Sequence, residues 1–494
     1  MKQSPLRSEI KQEDKWRIED LYASDADWEK DYDRCVDDAK KSCRYQGKLD
    51  ESVDYLYEAL KESDDSDLLM ENVYVYAFMK YYEDTTNPVY QEMSGKAQMV
   101  SSQLSEKYSF LSPEILALDE GTISDYRKDP RMKLYEHALD DLLAKKEHSL
   151  SAKEEKLLAK ATQMSSSPKE IFSRFNNADV RFGQIQDEDG KEVELTNGRY
   201  SVFMESSDRR VRKDAFETLY RQYGNYINTL SETFYANVKQ AMFFAQARNY
   251  NSTLEMYLSG SFIPVSVYKN LISTVNANMD KMHDYVALRK HELGVDELHF
   301  YDVYAPMVSD YDWKVAYDEA KEIALKALAP LGEDYVAKIK EGFETGWVDV
   351  RENVGKRSGA FSWGAYGTHP YVFLNYSDML NDVFTVVHEM GHAMHTYYSN
   401  ETQPYVYAGY RIFVAEVAST CNEAILINYL LKNSKDEKQK KYLINHYLEQ
   451  FKGTLFRQTM FAEFEMTAHQ KAEEGQVLNA ETLCGIYRDL NQKY

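Results

Sequence analysis

The chain has 494 residues, enough for two or three lobes around a sizeable core. Its 59 Lys and Arg against 81 Asp and Glu leave a formal net charge of −22, which argues against a protein that tracks nucleic-acid phosphates. Gly at 21 and Pro at 10 disfavour a turn-rich all-β fold, while 40 Tyr suit surfaces that are apolar yet need hydrogen bonds.

The N-terminal stretch Met-Lys-Gln-Ser-Pro-Leu-Arg-Ser-Glu-Ile has no apolar signal-like core. The longest apolar runs, such as Val73 to Met79, are far short of a membrane span. Cys35, Cys43, Cys421 and Cys484 contain no C-x-x-C pair and are too few for a disulfide scaffold. A soluble cytoplasmic protein with no membrane or nucleic-acid partner is expected.

Most of the chain reads as helix. Residues Asp67 to Tyr82 place Leu68, Leu69, Val73, Tyr76, Ala77 and Met79 at helical spacing, ending near Asn87-Pro88. Ser112-Pro113-Glu114 reads as a capped helix entry, and Ser167-Pro168-Lys169-Glu170 as an entry with a capping box. The pattern changes after Phe175. This predicts an N-terminal helical lobe over 1–175 and a second domain over 176–494. Val180-Arg181-Phe182 and Val193-Glu194-Leu195 flank Asp187 to Gly190 as a short hairpin. Helix resumes from Ser207 to Arg248, with the basic run Asp208 to Lys213 read as a solvated first turn. Leu298 to Tyr304 reads as extended. Gly355 to Tyr376 is a glycine-punctuated island with room for two short strands, Ala360 to Trp363 and Tyr371 to Leu374.

The chemistry sits in Asp382 to His395, which contains His388-Glu389-Met390-Gly391-His392. Chance produces H-E-x-x-H in roughly one or two of every hundred chains of this length and composition. Here the context is a helix: Val383, Phe384, Val386, Val387, Met390, Met394 and Tyr397 supply its apolar faces, and Asn381 or Asp382 its cap. Residues i and i+4 share a helix face, so His388 and His392 can offer nitrogens to one metal ion, with Glu389 one step round. A catalytic zinc needs three protein ligands and a water. The third candidate is Glu416, on a second helical stretch running to Leu431 after the breaker-containing segment 400–409. Glu423, two turns further on, is either the alternative ligand or a partner of one histidine. His395 lies about 10 Å along the axis from His388, too far to share its metal. His369 reads as a polar loop residue.

This set predicts one zinc ion per chain. Its bound water attacks a scissile carbonyl, and Glu389 is the general base that later protonates the leaving amine. An exposed strand edge in the glycine-rich island would pair with an extended peptide or serve as a plain hairpin over the core.

Three runs carry a family resemblance: Arg357 to Gly364, Asn381 to His395 and Ala415 to Glu423, with Pro5 to Glu9 and Lys15 to Tyr22 in the same style. The sequence resembles oligoendopeptidase F, among the thimet oligopeptidase-like zinc metallopeptidases. The resemblance implies a mainly α, two-lobed zincin fold, a deep central channel and a small β element beside the active site. It implies zinc at His388, His392 and Glu416, with Glu389 as base, and cytoplasmic turnover of short unstructured oligopeptides by internal cleavage. It also implies that relatives continue past Tyr494 into a segment with a histidine and clustered tyrosines that stabilise the oxyanion. His469, Tyr487 and Tyr494 do not match that pattern. Two alternatives stand beside the endopeptidase: a zinc carboxypeptidase or dipeptidase with a pocket for a peptide terminus, and, favoured by that mismatch, a peptide- and zinc-binding protein with little turnover.

Overall fold

The computed structural model describes residues 5–308 and 313–494; the first four residues of the N-terminal stretch read above lie outside them. Helices dominate, with a two-stranded and a three-stranded sheet among the described residues. No helix among the described residues is long and apolar enough to cross a membrane. The chain forms two compact units, one from Met1–Lys146 and Asp312–Asn433, the other from Glu147–Tyr311 and Ser434–Tyr494.

This division differs from a single boundary at 175. The Ser167–Arg174 helix packs on the Ile227–Ala247 helix, so it belongs with the chain that follows it. The change of pattern near Phe175 marks the approach to a hairpin inside one unit.

The first unit is built on the 31-residue helix Val53–Glu83, capped by Ser52, which accepts from the Tyr55 amide. Of the apolar positions read from the sequence, Val73, Tyr76, Ala77 and Met79 are buried and Leu68 and Leu69 half-buried, and the neighbouring helix Pro88–Tyr108 begins with Asn87 as cap and Pro88 as first residue. The entry expected with Ser112 as cap lies two residues earlier, with Phe110 at the cap position, Leu111 as first helical residue and no side-chain cap.

The sheet of this unit contains β3 (Val348–Asp349), β4 (Phe361–Trp363) and β5 (Tyr371–Phe373), in the order β3-β5-β4. β3 runs parallel to β5, with Val348 opposite Val372. β4 runs antiparallel to β5, with Ser362 opposite Val372, and forms an edge. The two strands expected in the glycine-rich island are thus present. β3 was not read from the sequence, because two residues carry no alternation. Trp16 packs against Phe361, Tyr371 and Phe373 with ring centroids 5.3–6.5 Å apart. Beside it, fully buried Asp349 pairs with Arg7 and, at 2.6 Å, with Lys356. Lys356 also donates to the carbonyls of Arg351 and Leu374 at 2.7 and 2.6 Å. A buried carboxylate with this many donors stays ionised, held below its ordinary range. The cluster ties the N-terminal segment to the sheet.

In the second unit the hairpin pairs β1 (Gln184–Gln186) with β2 (Glu192–Glu194), turning at Asp187 to Lys191 with Gly190 at φ +75°. Its first strand starts after Val180-Arg181-Phe182: the turn lies where the sequence pattern places it, and the strand begins later. The capping box expected at Ser167 does not form. Ser166 stands at the cap position, and its hydroxyl reaches the Glu170 carboxylate at 2.7 Å. Helices Arg209–Asn225 and Ile227–Ala247 match the helical reading of 207–248. Two expectations fail here for one reason. Arg212 is buried rather than solvated, and Leu298 to Tyr304 contains a 3₁₀ turn, Phe300–Asp302, instead of a strand. Asp302 caps that turn through the His299 amide while both Arg209 and Arg212 bind its carboxylate at 2.9 Å. A carboxylate ninety residues away takes the arginine out of water.

Candidate active site

The helix Leu380–Thr402 begins one residue after Met379. Asp382, expected as a cap, sits inside the first turn and reaches back to the amides of Ser377 and Met379 at 2.8 and 3.0 Å. Val383, Phe384, Val386, Val387, Met390, Ala393 and Met394 are buried, which turns His388 and His392 to another face. The segment after Thr402 carries the short helix Tyr405–Ala408, and the chain then enters Ile412–Lys432. That second helix lies directly against the first at Gly391. A Cβ placed there would stand 2.6 Å from Ser419 Cα and 2.9 Å from Ser419 N. Glycine at this point lets the two backbones touch. Asn422 adds a second tie, donating to the Val387 carbonyl at 3.1 Å and accepting from the Tyr335 hydroxyl at 3.0 Å.

The close approach brings three donor atoms together. His388 Nε2 and His392 Nε2 are 3.2 Å apart, and Glu416 Oε2 is 3.4 Å from each. Donors about 2.05 Å from a tetrahedral ion lie roughly 3.3 Å from one another, so the triangle has the edge lengths of a zinc site. The far sides of the rings are engaged. His388 Nδ1 meets Glu423, and His392 has a hydrogen bond with the Ala415 backbone. Such partners fix the tautomer that leaves Nε2 free to donate a lone pair. Among the described residues, His388, His392 and Glu416 are the one group of histidine, cysteine and acidic side chains with metal-ligand spacing. Two imidazole nitrogens and one carboxylate are the donor set of a catalytic zinc, which takes its fourth ligand from water.

Glu389, next to His388 on this helix, is 7% exposed. Its carboxylate accepts from the Ser362 backbone amide. Burial pushes its pKa up to about 7; the Glu416 and Glu423 carboxylates add to the rise, and His388 and the Ser362 amide oppose it. For His388, burial alone would lower the pKa, but the Glu423 hydrogen bond and charge raise it above the ordinary histidine value. For His392 burial prevails and the pKa is lowered.

Comparison with known proteins decides the family. Residues 202–494 match peptidase family M3, and residues 114–182 match the oligopeptidase F family. Oligopeptidase PepF of Bacillus subtilis is 48% identical over 493 residues, covering 100% of this chain and 74% of the relative. A crystal structure of a Chlamydophila abortus protein superimposes with a TM-score of 0.88 at 32% identity, covering 99% of this chain and 83% of that one. Oligoendopeptidase F of Enterococcus faecium does so with a TM-score of 0.72 at 37% identity, over 95% and 80% of the two chains. The chain belongs to peptidase family M3. It is a metallopeptidase, and its reaction is peptide hydrolysis.

The structure of this M3 peptidase separates the two acidic candidates on its second helix. Glu416 faces the Nε2 atoms of both histidines. Glu423 faces the opposite nitrogen of His388, the place of a group that orients a ligand. His395 stacks on Tyr410 with ring centroids 3.7 Å apart, and His369 bonds Asp20 at 3.1 Å and stacks on Trp347. Neither joins the triangle. Three residues of the M3 peptidase site escaped the sequence reading: Ser362, Ser419 and Asn422. The Ser419 signal was available, since it follows Glu416 by three positions on one helix. Ser362 acts through its backbone, and nothing in a side-chain pattern reports that.

Proposed function

We propose that this M3 peptidase is a zinc-dependent endopeptidase that cuts internal bonds of short, unstructured oligopeptides. His388, His392 and Glu416 hold the single zinc ion and Glu389 is the general base. The observation that carries the reading is the triangle of donor atoms, with sides of 3.2, 3.4 and 3.4 Å, beside a buried carboxylate. Zinc, when bound, supplies a Lewis acid for the scissile carbonyl and brings the pKa of the attacking water to about 7.

The chain's own groups do the rest. Glu389 accepts the proton of the attacking water and returns it to the leaving nitrogen, so the product amine departs neutral. The Ser362 amide holds that carboxylate at the strand edge. The same edge strand, β4, is where an extended peptide pairs through main-chain hydrogen bonds, which accepts many sequences. The four cysteines, all free thiols, fit a reducing cytoplasm as the place of this turnover.

The test uses an internally quenched peptide blocked at both termini. Internal cleavage that stops with a chelator and returns with zinc is the expected result. Cleavage that requires a free terminus would overturn the endopeptidase assignment, and cleavage indifferent to chelation would overturn the metal.

A further inference from the structure

Glu416 is an unpromising ligand on its own. Its side chain is 62% exposed, against 26% and 16% for His388 and His392, and it is long and flexible. Its Oε2 nevertheless stands equidistant from both ring nitrogens. One group accounts for this. Ser419 Oγ lies 2.9 Å from Oε2, and Ser419 is fully buried. The hydroxyl is also 3.1 Å from the Glu416 backbone carbonyl, the usual acceptor for a serine inside a helix. A hydroxyl has one proton, and the charged, nearer oxygen is the stronger acceptor.

Ser419 is itself fixed. The missing Cβ of Gly391 lets the Leu380–Thr402 backbone rest on Ser419 Cα and N. The hydroxyl is therefore referenced to the helix that carries the two imidazoles, although it belongs to the helix that carries Glu416. We infer that Ser419 is a positioning residue: it holds the Glu416 oxygen at the ligand position in the ion-free protein and leaves that oxygen's second lone pair for the metal. The inference rests on the proposed ligand set.

The test measures zinc affinity of the full chain by competition with a chromophoric chelator. Ser419→Ala should weaken zinc binding by about 10–100-fold. Ser419→Thr, which keeps the hydroxyl, should stay near wild type. In a Glu416→Ala background Ser419→Ala should cost nothing further, and it should leave the melting temperature of the zinc-free protein in place. Unchanged zinc affinity in Ser419→Ala overturns the inference. So does an equal penalty in the Glu416→Ala background, which would make the serine merely structural. If Glu416→Ala alone binds zinc like wild type, the ligand set fails first, and Ser419 with it.

Discussion

At the scale of single residues, the site divides its labour between two neighbours in sequence. His388 turns toward Glu416 and His392, while Glu389 turns into the protein and meets a strand-edge amide. On the proposed mechanism Glu389→Gln removes the proton carrier and leaves the donor triangle intact. Zinc content should be unchanged and turnover should fall by about 10²–10⁴-fold or more. A quenched-peptide assay with metal analysis checks both, and wild-type turnover would remove Glu389 from the mechanism. Glu423 acts at one remove, through His388 Nδ1. Glu423→Ala should lower zinc affinity by about 10–100-fold while Glu416→Ala lowers it further. Titration against a chelator ranks the two, and the reverse order would exchange their roles.

At the scale of elements, the decisive contact is between two helices, and glycine permits it. Gly391→Ala drives a methyl group into the Ser419 backbone, where no flexible side chain can yield. Overpacking of this kind costs about 1–3 kcal/mol and should push Glu416 away from the histidines, so stability and zinc affinity fall together. Gly485, inside the helix Ala480–Lys493, makes the contrast, since a Cβ there meets nothing within 4 Å. Gly485→Ala should stabilise by about 0.5–1 kcal/mol and leave zinc binding alone. Paired thermal melts and zinc titrations test the two glycines; equal behaviour would mean that the helix contact does not set the site.

At the scale of the molecule, each unit carries an ion cluster around a fully buried carboxylate that joins segments far apart in sequence: Arg7 and Lys356 on Asp349 in one, Arg209 and Arg212 on Asp302 in the other. Burial alone would raise the Asp302 pKa, but Arg209, the His299 amide and Arg212 outweigh it and hold the group below its ordinary value. A depressed carboxylate stabilises the fold fully above the unfolded pKa of about 4, and that contribution is lost as pH falls through the folded value. Asp302→Asn leaves Arg212 buried without its countercharge and should cost about 3–5 kcal/mol near pH 7. Urea midpoints of the two proteins should converge as pH drops below about 4. A gap that stays constant into acid would show that the charge of Asp302 is not what stabilises the fold.

The same clusters explain which expectations failed. Arg212 looked like one cation of a solvated helical turn, and Leu298 to Tyr304 looked like a strand. Local pattern carries no word of Asp302 meeting Arg212 ninety positions away. The helices, by contrast, announce themselves: Val73, Tyr76, Ala77 and Met79 in Val53–Glu83, and Val383, Phe384, Val386, Val387, Met390 and Met394 in Leu380–Thr402, belong to the apolar spacing that predicts each helix and are buried in it.

From its sequence alone this protein determines the histidine pair and the neighbouring acid, because a spacing of four on one helix is a local property that any helical backbone realises. Glu416 was narrowed by the sequence to one of two carboxylates on a later helix. Only the tertiary structure sets them apart, with Glu416 across from both Nε2 atoms and Glu423 at His388 Nδ1, because the placement depends on the rotation of one helix against another. That rotation is set by Gly391 on Ser419 and by Asn422 on Val387, contacts between residues whose pairing no periodicity encodes.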